Sequence, residues 1–263
     1  MTDVLHALIR EVSPAIDRCE LTHTSRQPID IEAARSEHQA YRDLLDDLGC
    51  RVLALPAEPD LPDSMFVEDT IVVVDELAII TRPGAELRRA ETASVADALR
   101  GFRHLAAIEA PGTLDGGDVL RCGSRIWVGL STRTNAAGIE QLARFLGDFA
   151  YEVIPVAATR CLHLKSAATC IGPKTILLNP AWVDRNAFAG CRVIEVDPAE
   201  PSAGNALEVA GTVVVSASHP RTRDLLADAS FSCRTLDTNE LAKAEAGLTC
   251  CSVLFAGPAA AAQ

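Results

Sequence analysis

One short pattern recurs about every 50 residues along the chain and restricts the folds open to it. Each copy has a polar residue, two apolar strands joined by a tight turn, a helix and a third strand. The polar residues are Asp69, Asp115, His163, Asn205 and Cys250, at intervals of 46, 48, 42 and 45 residues. Units of this length bury their apolar faces by stacking on their neighbours. The pattern therefore predicts a ring of α/β units whose polar residues converge on one central site.

The fifth copy is split between the two ends of the chain. Cys250 and a strand at 252–255 stand at one end, while a strand at 5–12, a helix at 31–48 and a strand at 51–55 stand at the other. Pairing of the two terminal strands would close the ring and leave no exposed sheet edge there. The alternative is an ordinary α/β sheet with unrelated hairpins, which would not repeat a polar residue at the same place in each unit.

Two further local predictions concern the surroundings of the site. The third unit should have strands at 166–171 and 174–178, followed by a short helical piece at 181–189. The segment 13–30 contains proline and many polar residues, and it is our candidate for a mobile lid over the central site.

Charge and hydropathy exclude several classes of partner. The formal net charge of −12 and the sequence pI of about 4.9 argue against binding a nucleic-acid backbone and suit a small cationic ligand. No stretch approaches 18 consecutive apolar residues, so no membrane span is predicted. The N-terminal residues lack the order of a signal peptide, which favours a cytoplasmic protein. An apolar fraction of 48% suffices for the core of one domain over residues 1–263.

The nine cysteines show no C-x-x-C spacing. Adjacent Cys250 and Cys251 are poorly placed to chelate one zinc ion, so we predict neither a metal nor another cofactor. Most of the cysteines are expected to be buried, reduced thiols. Neighbouring side chains on a strand point to opposite faces, so Cys251 is given no catalytic role.

The polar residues of the repeat fit one reaction. A planar guanidinium is best held by carboxylates through paired N–H···O bonds, and Asp69 and Asp115 are the candidates for this. Cys250, once ionised, is a strong nucleophile that could attack the central carbon of the guanidinium. His163 could give a proton to the departing amine and then take one from the incoming water.

Six segments of the chain carry a family resemblance. They are 61–69 (LPDSMFVED), 80–85 (ITRPGA), 113–120 (TLDGGDVL), 128–135 (VGLSTRTN), 162–166 (LHLKS) and 248–254 (LTCCSVL). In this order they resemble the dimethylarginine dimethylaminohydrolase family, part of the guanidine-modifying superfamily with the pentein fold. The resemblance implies a five-bladed α/β propeller of ββαβ repeats around a central site. It also implies hydrolysis of Nω-methylated L-arginines to L-citrulline and dimethylamine or methylamine, through a covalent thiouronium on Cys250.

The resemblance further implies a role for each matched residue. Cys250 is the nucleophile, His163 is the general acid and base, and Asp115 supports the histidine and the guanidinium. The remaining residues would bind substrate: Glu68 and Asp69 at its guanidinium side, Asp63, Arg88 and Arg133 at its amino-acid end, and Leu21 and Ala244 through their backbone. Arg88 and Arg133 follow second hairpin strands, where we expect loops that can reach the ring centre.

Three alternatives stay open at this point. An arginine deiminase would use the same cysteine chemistry on unmodified arginine, but such enzymes carry an aspartate two residues after the histidine, where this chain has Lys165. A catalytically silent propeller would bind a protein partner. A zinc-binding or redox-sensing role for Cys250 and Cys251 is the third. The pattern permits a monomer or a homodimer.

Overall fold

The structure, a computed structural model, describes residues 3–259, so residues 1–2 and 260–263 of the predicted domain lie outside the described part. Within this range, fifteen strands form five three-stranded sheets, which we call blades. The strands are β1 (Asp3–Arg10), β2 (Arg51–Leu55), β3 (Ile71–Val73), β4 (Leu77–Ile80), β5 (His104–Ala107), β6 (Val119–Cys122), β7 (Arg125–Leu130), β8 (Glu152–Ala157), β9 (Ala168–Gly172), β10 (Thr175–Leu178), β11 (Arg192–Glu195), β12 (Leu207–Val209), β13 (Thr212–Ser216), β14 (Ser232–Leu236) and β15 (Val253–Pro258).

Every blade has the same topology. An inner strand pairs antiparallel with the central strand, and the central strand pairs parallel with the third, as in β3–β4–β5 and β6–β7–β8. One cavity along the ring axis, which we call the axial cavity, has residues of all five inner strands in its wall: β3, β6, β9, β12 and β15. This arrangement confirms the predicted five-bladed α/β propeller of ββαβ repeats.

The two ends of the described chain close the ring within one blade. β1 pairs antiparallel with β15, from Asp3 opposite Pro258 to Leu8 opposite Val253, and pairs parallel with β2. The predicted pairing of N- and C-terminal strands is therefore confirmed. It removes the free edge that an open row of blades would leave.

Six α-helices link the strands of the described part. They are α1 (Ile31–Asp47), α2 (Thr92–Leu99), α3 (Ala136–Leu146), α4 (Leu164–Ala167), α5 (Pro220–Asp228) and α6 (Asn239–Ala242). Asp30 caps α1 by accepting the backbone N–H groups of Glu32 and Ala33, as its position before the apolar pattern predicts. None of the described helices is both long and apolar enough to cross a lipid bilayer.

The apolar core is divided among the contacts between neighbouring blades. One cluster joins Ile9 of β1 and Leu45 of α1 to Val214 of β13. Another joins Leu8 of β1 to Val67, just before β3, and to Val95 of α2. Because each blade is only three strands wide, these side chains become buried only when the adjacent blade is in place.

Two local predictions were wrong in detail. The predicted strand at 166–171 begins only at Ala168, because residues 164–167 form the single turn of α4. Within the predicted helical piece at 181–189, only Arg185–Phe188 is regular, as a 3₁₀ turn. A one-turn helix is too short to show a period of 3.6 residues, so the apolar pattern alone could not separate it from a strand.

Candidate active site

The five predicted polar residues occupy equivalent places in the five blades. Each lies in, or directly beside, a short helical turn that leads into an inner strand: Asp69 before β3, Asp115 before β6, His163 before β9, Asn205 before β12 and Cys250 before β15. Since the inner strands surround the ring axis, these turns bring the five residues to the same end of the axis. The predicted convergence is thus a consequence of the repeat.

A small cavity of about 20 Å³ lies at this end of the axis. Seven of the ten predicted site residues line it: Asp63, Asp69, Arg88, Arg133, His163, Ala244 and Cys250. The other three lie outside its wall. Asp115 is fully buried behind His163. Glu68 lines the separate axial cavity, and Leu21 packs against the apolar cluster that contains Ile16 and Tyr41.

His163 lies between two buried carboxylates. Its Nε2 is 3.0 Å from Asp115 Oδ2, and its Nδ1 is 3.6 Å from Asp69 Oδ1. Burial lowers the pKa of His163, but the carboxylates of Asp69, Asp115 and Asp118 outweigh that effect and raise the pKa to about 9. The imidazole is therefore protonated at neutral pH and can act as a general acid without a preceding proton transfer.

This raised pKa predicts a pH dependence of stability. Protonated His163 stabilises the folded protein fully below about pH 6.5, its ordinary pKa, and this contribution is lost as the pH rises towards 9. We expect the free energy of unfolding in urea to fall by about 2 kcal/mol more between pH 6 and pH 8 in the wild type than in His163→Ala. Equal slopes in the two proteins would contradict the protonated histidine.

The ionised carboxylate of Asp69 accepts hydrogen bonds from two neighbouring residues. Its Oδ2 is 2.5 Å from Arg88 Nη1, and its Oδ1 accepts the backbone N–H of Gly117 at 2.9 Å. Burial raises the pKa of Asp69, but His163 and Arg88 outweigh it and lower the pKa to about 2. A further cation arriving in the cavity would meet an ionised carboxylate.

The structure places Arg88 differently from the sequence-based expectation. It lies in a 3₁₀ turn, Glu86–Glu91, rather than in a loop, and its side chain is buried. Its guanidinium bonds to Asp69 and Glu91 and donates to the carbonyl oxygens of Asp63 and Phe66. Arg88 therefore lies against a guanidinium-side acid, and its contact with the amino-acid end of a substrate stays a prediction.

Asp115 has partners that hold its carboxylate in place. Its Oδ1 accepts the backbone N–H of Gly84 at 2.8 Å, and its Oδ2 faces His163. Its own backbone N–H donates to Thr134 Oγ1. These contacts suit a residue that orients the imidazole, whereas direct contact between Asp115 and a guanidinium stays a prediction.

Cys250 is surrounded by groups that disfavour its anion. Burial, together with the carboxylates of Glu68 and Asp69, raises the pKa of the Cys250 thiol well above its ordinary value. One backbone N–H, that of Gly247, donates to Sγ at 3.3 Å. The nucleophile is therefore a neutral thiol in this state of the protein, as its acidic surroundings predict.

Glu68 and Lys165 form an ion pair directly beside the catalytic residues. Lys165 Nζ is 2.6 Å from Glu68 Oε1, and Thr249 Oγ1 donates to Glu68 Oε2 at 2.8 Å. Burial raises the pKa of Glu68, and the Lys165 charge opposes that rise. Lys165 thus neutralises the Glu68 carboxylate next to the site. It also occupies the position at which an arginine deiminase would have an aspartate.

A segment that we call the covering segment, residues 20–24, begins in the cavity wall at Glu20 and is hydrogen-bonded to two other wall residues, Arg133 and Glu245. Glu245 Oε2 accepts the backbone N–H of Thr22 at 2.9 Å, and Oε1 accepts those of His23 and Thr24 at 2.6 and 2.5 Å. Arg133 Nη2 donates to Thr22 Oγ1 at 3.0 Å. The covering segment falls inside the segment 13–30 that was predicted as a lid. The role of Glu245 in holding it was not predicted, because its three partners are more than 220 residues away in sequence.

Asp63 anchors the start of the same segment. Both of its carboxylate oxygens face the backbone N–H of Glu20, at 3.1 and 3.2 Å. Burial raises the pKa of Asp63 despite the charge of Arg88. Ala244, which is also buried, lies in the cavity wall beside Glu245.

Asp118 and Gly117 support the site but were not singled out from the sequence. Asp118 accepts Ser131 Oγ at 2.6 Å and the backbone N–H of Leu164 at 2.8 Å, and it is fully buried. A Cβ at Gly117 would lie 2.6 Å from both Asp69 Oδ1 and His163 Nδ1, so only glycine fits there. The Gly-Gly-Asp run at 116–118 was the sequence feature that could have identified these two residues.

Tyr41 connects α1 to the turn that carries the nucleophile. Its hydroxyl donates to the carbonyl oxygen of Leu248 at 2.9 Å and lies 2.7 Å from Ser252 Oγ, in a buried position. We expect Tyr41→Phe to lower the free energy of unfolding by about 1–3 kcal/mol, because buried partners lose their hydrogen bonds. Tyr151→Phe, at the other tyrosine, is the control and should cost less than about 0.5 kcal/mol; equal costs would contradict this role.

One group in the described part has the proximity that a metal ion needs. Ligand atoms of Asp69, Asp115 and His163 lie within 4.8 Å of one another. The Arg88 guanidinium already neutralises Asp69, and His163 carries a proton that a metal would have to displace. The donor set therefore suits a guanidinium and a proton better than a divalent ion.

Comparison with known proteins agrees with this geometry. A family model described as "N,N dimethylarginine dimethylhydrolase, eukaryotic" matches residues 9–214. The N(G),N(G)-dimethylarginine dimethylaminohydrolase of Streptomyces coelicolor is 39% identical over 94% of this chain and 95% of its own length. A solved structure of a cysteine-to-serine variant of the Pseudomonas aeruginosa enzyme, complexed with citrulline, has a TM-score of 0.91 and 31% identity, covering 96% of this chain and 99% of that one.

A second solved structure of this type is a histidine-to-glycine variant of a dimethylarginine dimethylaminohydrolase, as an adduct with S-methyl-L-thiocitrulline. It has a TM-score of 0.90 and 31% identity, and the match covers 97% of this chain and 100% of that one. The propeller and its central cysteine and histidine place the protein among the pentein-type hydrolases that act on carbon–nitrogen bonds. Within that class, the chain belongs to the dimethylarginine dimethylaminohydrolase family.

Proposed function

We propose that the protein hydrolyses Nω-methylated L-arginines, asymmetric dimethylarginine and monomethylarginine, to L-citrulline and dimethylamine or methylamine. The observation that carries the proposal is the arrangement of Cys250, His163 and Asp69 around one cavity, with a neutral thiol, a protonated imidazole and an ionised carboxylate. A cationic guanidinium is the ligand that this combination of charges favours.

The arriving substrate would activate the nucleophile. A guanidinium bound beside Asp69 adds a positive charge next to Cys250, which lowers the free-energy cost of ionising the thiol. The thiol proton passes to water, because His163 is already protonated. The thiolate then attacks the central carbon. His163 gives its proton to the methylated nitrogen, the carbon–nitrogen bond breaks, and the amine leaves.

The second half of the reaction regenerates the enzyme. The thiouronium on Cys250 is attacked by water, and the now neutral His163 takes the water's proton. The carbon–sulfur bond breaks as the carbonyl of citrulline forms, and the proton of the added hydroxyl passes to the sulfur, which returns to the neutral thiol. Asp115 orients the imidazole through both steps by its contact with Nε2.

The preference for methylated over unmodified arginine follows from the acceptors at the site. An unmodified guanidinium has five N–H donors, and each methyl group removes one of them. Glu68 already accepts from Lys165 and Thr249, so fewer free acceptors remain for those donors. A donor left unpaired in a buried site costs about 1–3 kcal/mol, which disfavours unmodified arginine.

Substrate entry requires the covering segment to move. A cavity of about 20 Å³ has room for about one water molecule, so a substrate enters only when residues 20–24 separate from Glu245 and Arg133. We propose that Arg88, Arg133 and Asp63 hold the amino-acid end, and that Leu21 and Ala244 contact it through their backbone once the segment closes. A cytoplasmic location, one domain over the whole chain and a monomeric or homodimeric state remain predictions.

The direct test is mass analysis of products from parallel incubations with asymmetric dimethylarginine, monomethylarginine and arginine. We expect citrulline with dimethylamine from the first and with methylamine from the second, at higher kcat/KM than citrulline from arginine. Equal or higher kcat/KM for arginine would identify a deiminase. No citrulline from any of the three would identify a propeller without this catalytic activity.

A further inference from the structure

The axial cavity is separate from the active-site cavity. Its volume is about 430 Å³, and the two cavities share no lining residue. It begins at Glu68, Lys165 and Thr249, beside the catalytic residues, and extends along the inner strands to exposed Arg121 and Gly123. The proposed hydrolysis uses none of the side chains in the outer part of this cavity.

Two cysteines from neighbouring blades meet in its wall. Cys122 ends β6 and Cys170 lies in β9, and these two strands lie side by side. Both thiols face one acceptor, the carbonyl oxygen of Gly172, which is 3.8 Å from Cys122 Sγ and 3.3 Å from Cys170 Sγ. The two side chains are also close enough for each to shift the pKa of the other.

The surroundings of Cys122 differ from those of every other cysteine in the chain. The neighbouring Cys170 side chain, the backbone of Lys174 and Thr175 and the charge of Arg125 all favour its thiolate. These contacts outweigh burial and lower the pKa of Cys122 to about 6. The pKa values of the other eight cysteines are all raised, mainly by burial or, at Cys170, by the neighbouring Cys122.

We propose that Cys122 and Cys170 form a second reactive site, which a hydroperoxide converts to a disulfide. The Cys122 thiolate attacks the terminal peroxide oxygen, the O–O bond breaks, and a sulfenic acid forms as water or an alcohol leaves. The Cys170 sulfur then attacks the Cys122 sulfur, the S–O bond breaks, and the hydroxyl leaves as water with the Cys170 proton. Two thiols lose two electrons, and the peroxide gains them.

The placement of the pair predicts which function survives oxidation. The disulfide would tie β6 to β9 at the end of the axial cavity that opens near Arg121, away from Cys250 and His163. Cys250 keeps its proton in the free protein and reacts more slowly with peroxide, because the thiolate is the reactive form. The Cys122–Cys170 pair therefore reacts with peroxide before Cys250 does. This reaction does not depend on the proposed hydrolysis.

The experiment treats the folded, reduced protein with one equivalent of hydrogen peroxide at pH 7 and counts thiols after denaturation. We expect the count to fall from nine to seven in the wild type. Trypsin should then release the peptide 122–125 linked to the peptide 166–174, each of which contains one cysteine. The rate of disulfide formation should rise with pH to a midpoint near 6.

Single variants assign the roles of the two sulfurs. Cys122→Ser should keep all eight of its thiols, whereas Cys170→Ser should lose one and carry a sulfenic acid at Cys122 that a cyclic-diketone probe labels. Cys191→Ser is the matched control at a neighbouring cysteine and should fall from eight to six. A wild-type count that stays at nine, or a linkage of Cys122 to any cysteine other than Cys170, would overturn the proposal without the use of any variant.

Discussion

Cys250→Ser is expected to lower kcat for asymmetric dimethylarginine by about 10⁴-fold or more. A serine hydroxyl is much harder to ionise than a thiol, and no base is ready to take its proton. His163, with a pKa of about 9, is already protonated at neutral pH. Steady-state release of citrulline and dimethylamine measures the effect, and urea unfolding checks that the variant is folded.

Cys251→Ser is the matched control for this experiment. Cys251 is the adjacent thiol, but it is buried in the apolar cluster and its sulfur faces the carbonyl oxygen of Gly247 at 3.8 Å. Its replacement should affect stability while leaving kcat within about 10-fold of the wild type. Turnover by Cys250→Ser near the wild-type rate would exclude covalent catalysis at Cys250.

His163→Ala is expected to lower kcat by about 10²–10⁴-fold, because the departing amine then lacks a proton donor. The wild-type kcat should fall as the pH rises through about 9, where the imidazole loses its proton. The residual activity of the variant should lack this step. Added imidazole should restore part of the lost rate if the defect is the missing proton donor.

His104→Ala provides the comparison for a histidine outside the site. His104 is exposed on β5, the third strand of its blade and not an inner strand, and its loss should leave kcat unchanged. An equal effect of the two histidine changes, or a pH profile of His163→Ala that matches the wild type, would contradict the role of His163 as the acid.

The ring and its closure could be predicted because they depend on a repeat. A polar residue before each inner strand and a period near 50 residues are visible in a single sequence, and the pairing of β1 with β15 follows from completing the fifth unit. The one-turn helix α4 was not predicted because four residues carry no helical period.

The environments of charged side chains could not be predicted in the same way. Arg88 has one sequence-local partner, Glu91, but its burial depends on Asp69 and on carbonyl groups of the segment 63–66. Lys165 and Glu68 are 97 residues apart. They meet only because the turns before β3 and β9, whose blades are separated by the β6–β7–β8 blade, converge on the ring axis. Such pairs depend on the packing of blades, which local patterns do not specify.

The pairing of Cys122 with Cys170 illustrates the same limit. Most of the nine cysteines were expected from the sequence to be buried, reduced thiols, and nothing in the spacing set these two apart. Only the adjacency of β6 and β9 brings them to one carbonyl oxygen and gives one of them a lowered pKa. The sequence gives only the number and positions of the thiols. Which thiol has a lowered pKa depends on the neighbours that the fold places around it.

The covalent step at Cys250 is tested most directly by acid-quenching the wild-type protein during turnover and measuring the mass of the Cys250 peptide. Separate reactions with asymmetric dimethylarginine and monomethylarginine should give the same adduct, because both substrates lose their methylated nitrogen before the intermediate forms. An adduct that retains methyl groups, or an unmodified Cys250 peptide during rapid steady-state turnover, would contradict the mechanism.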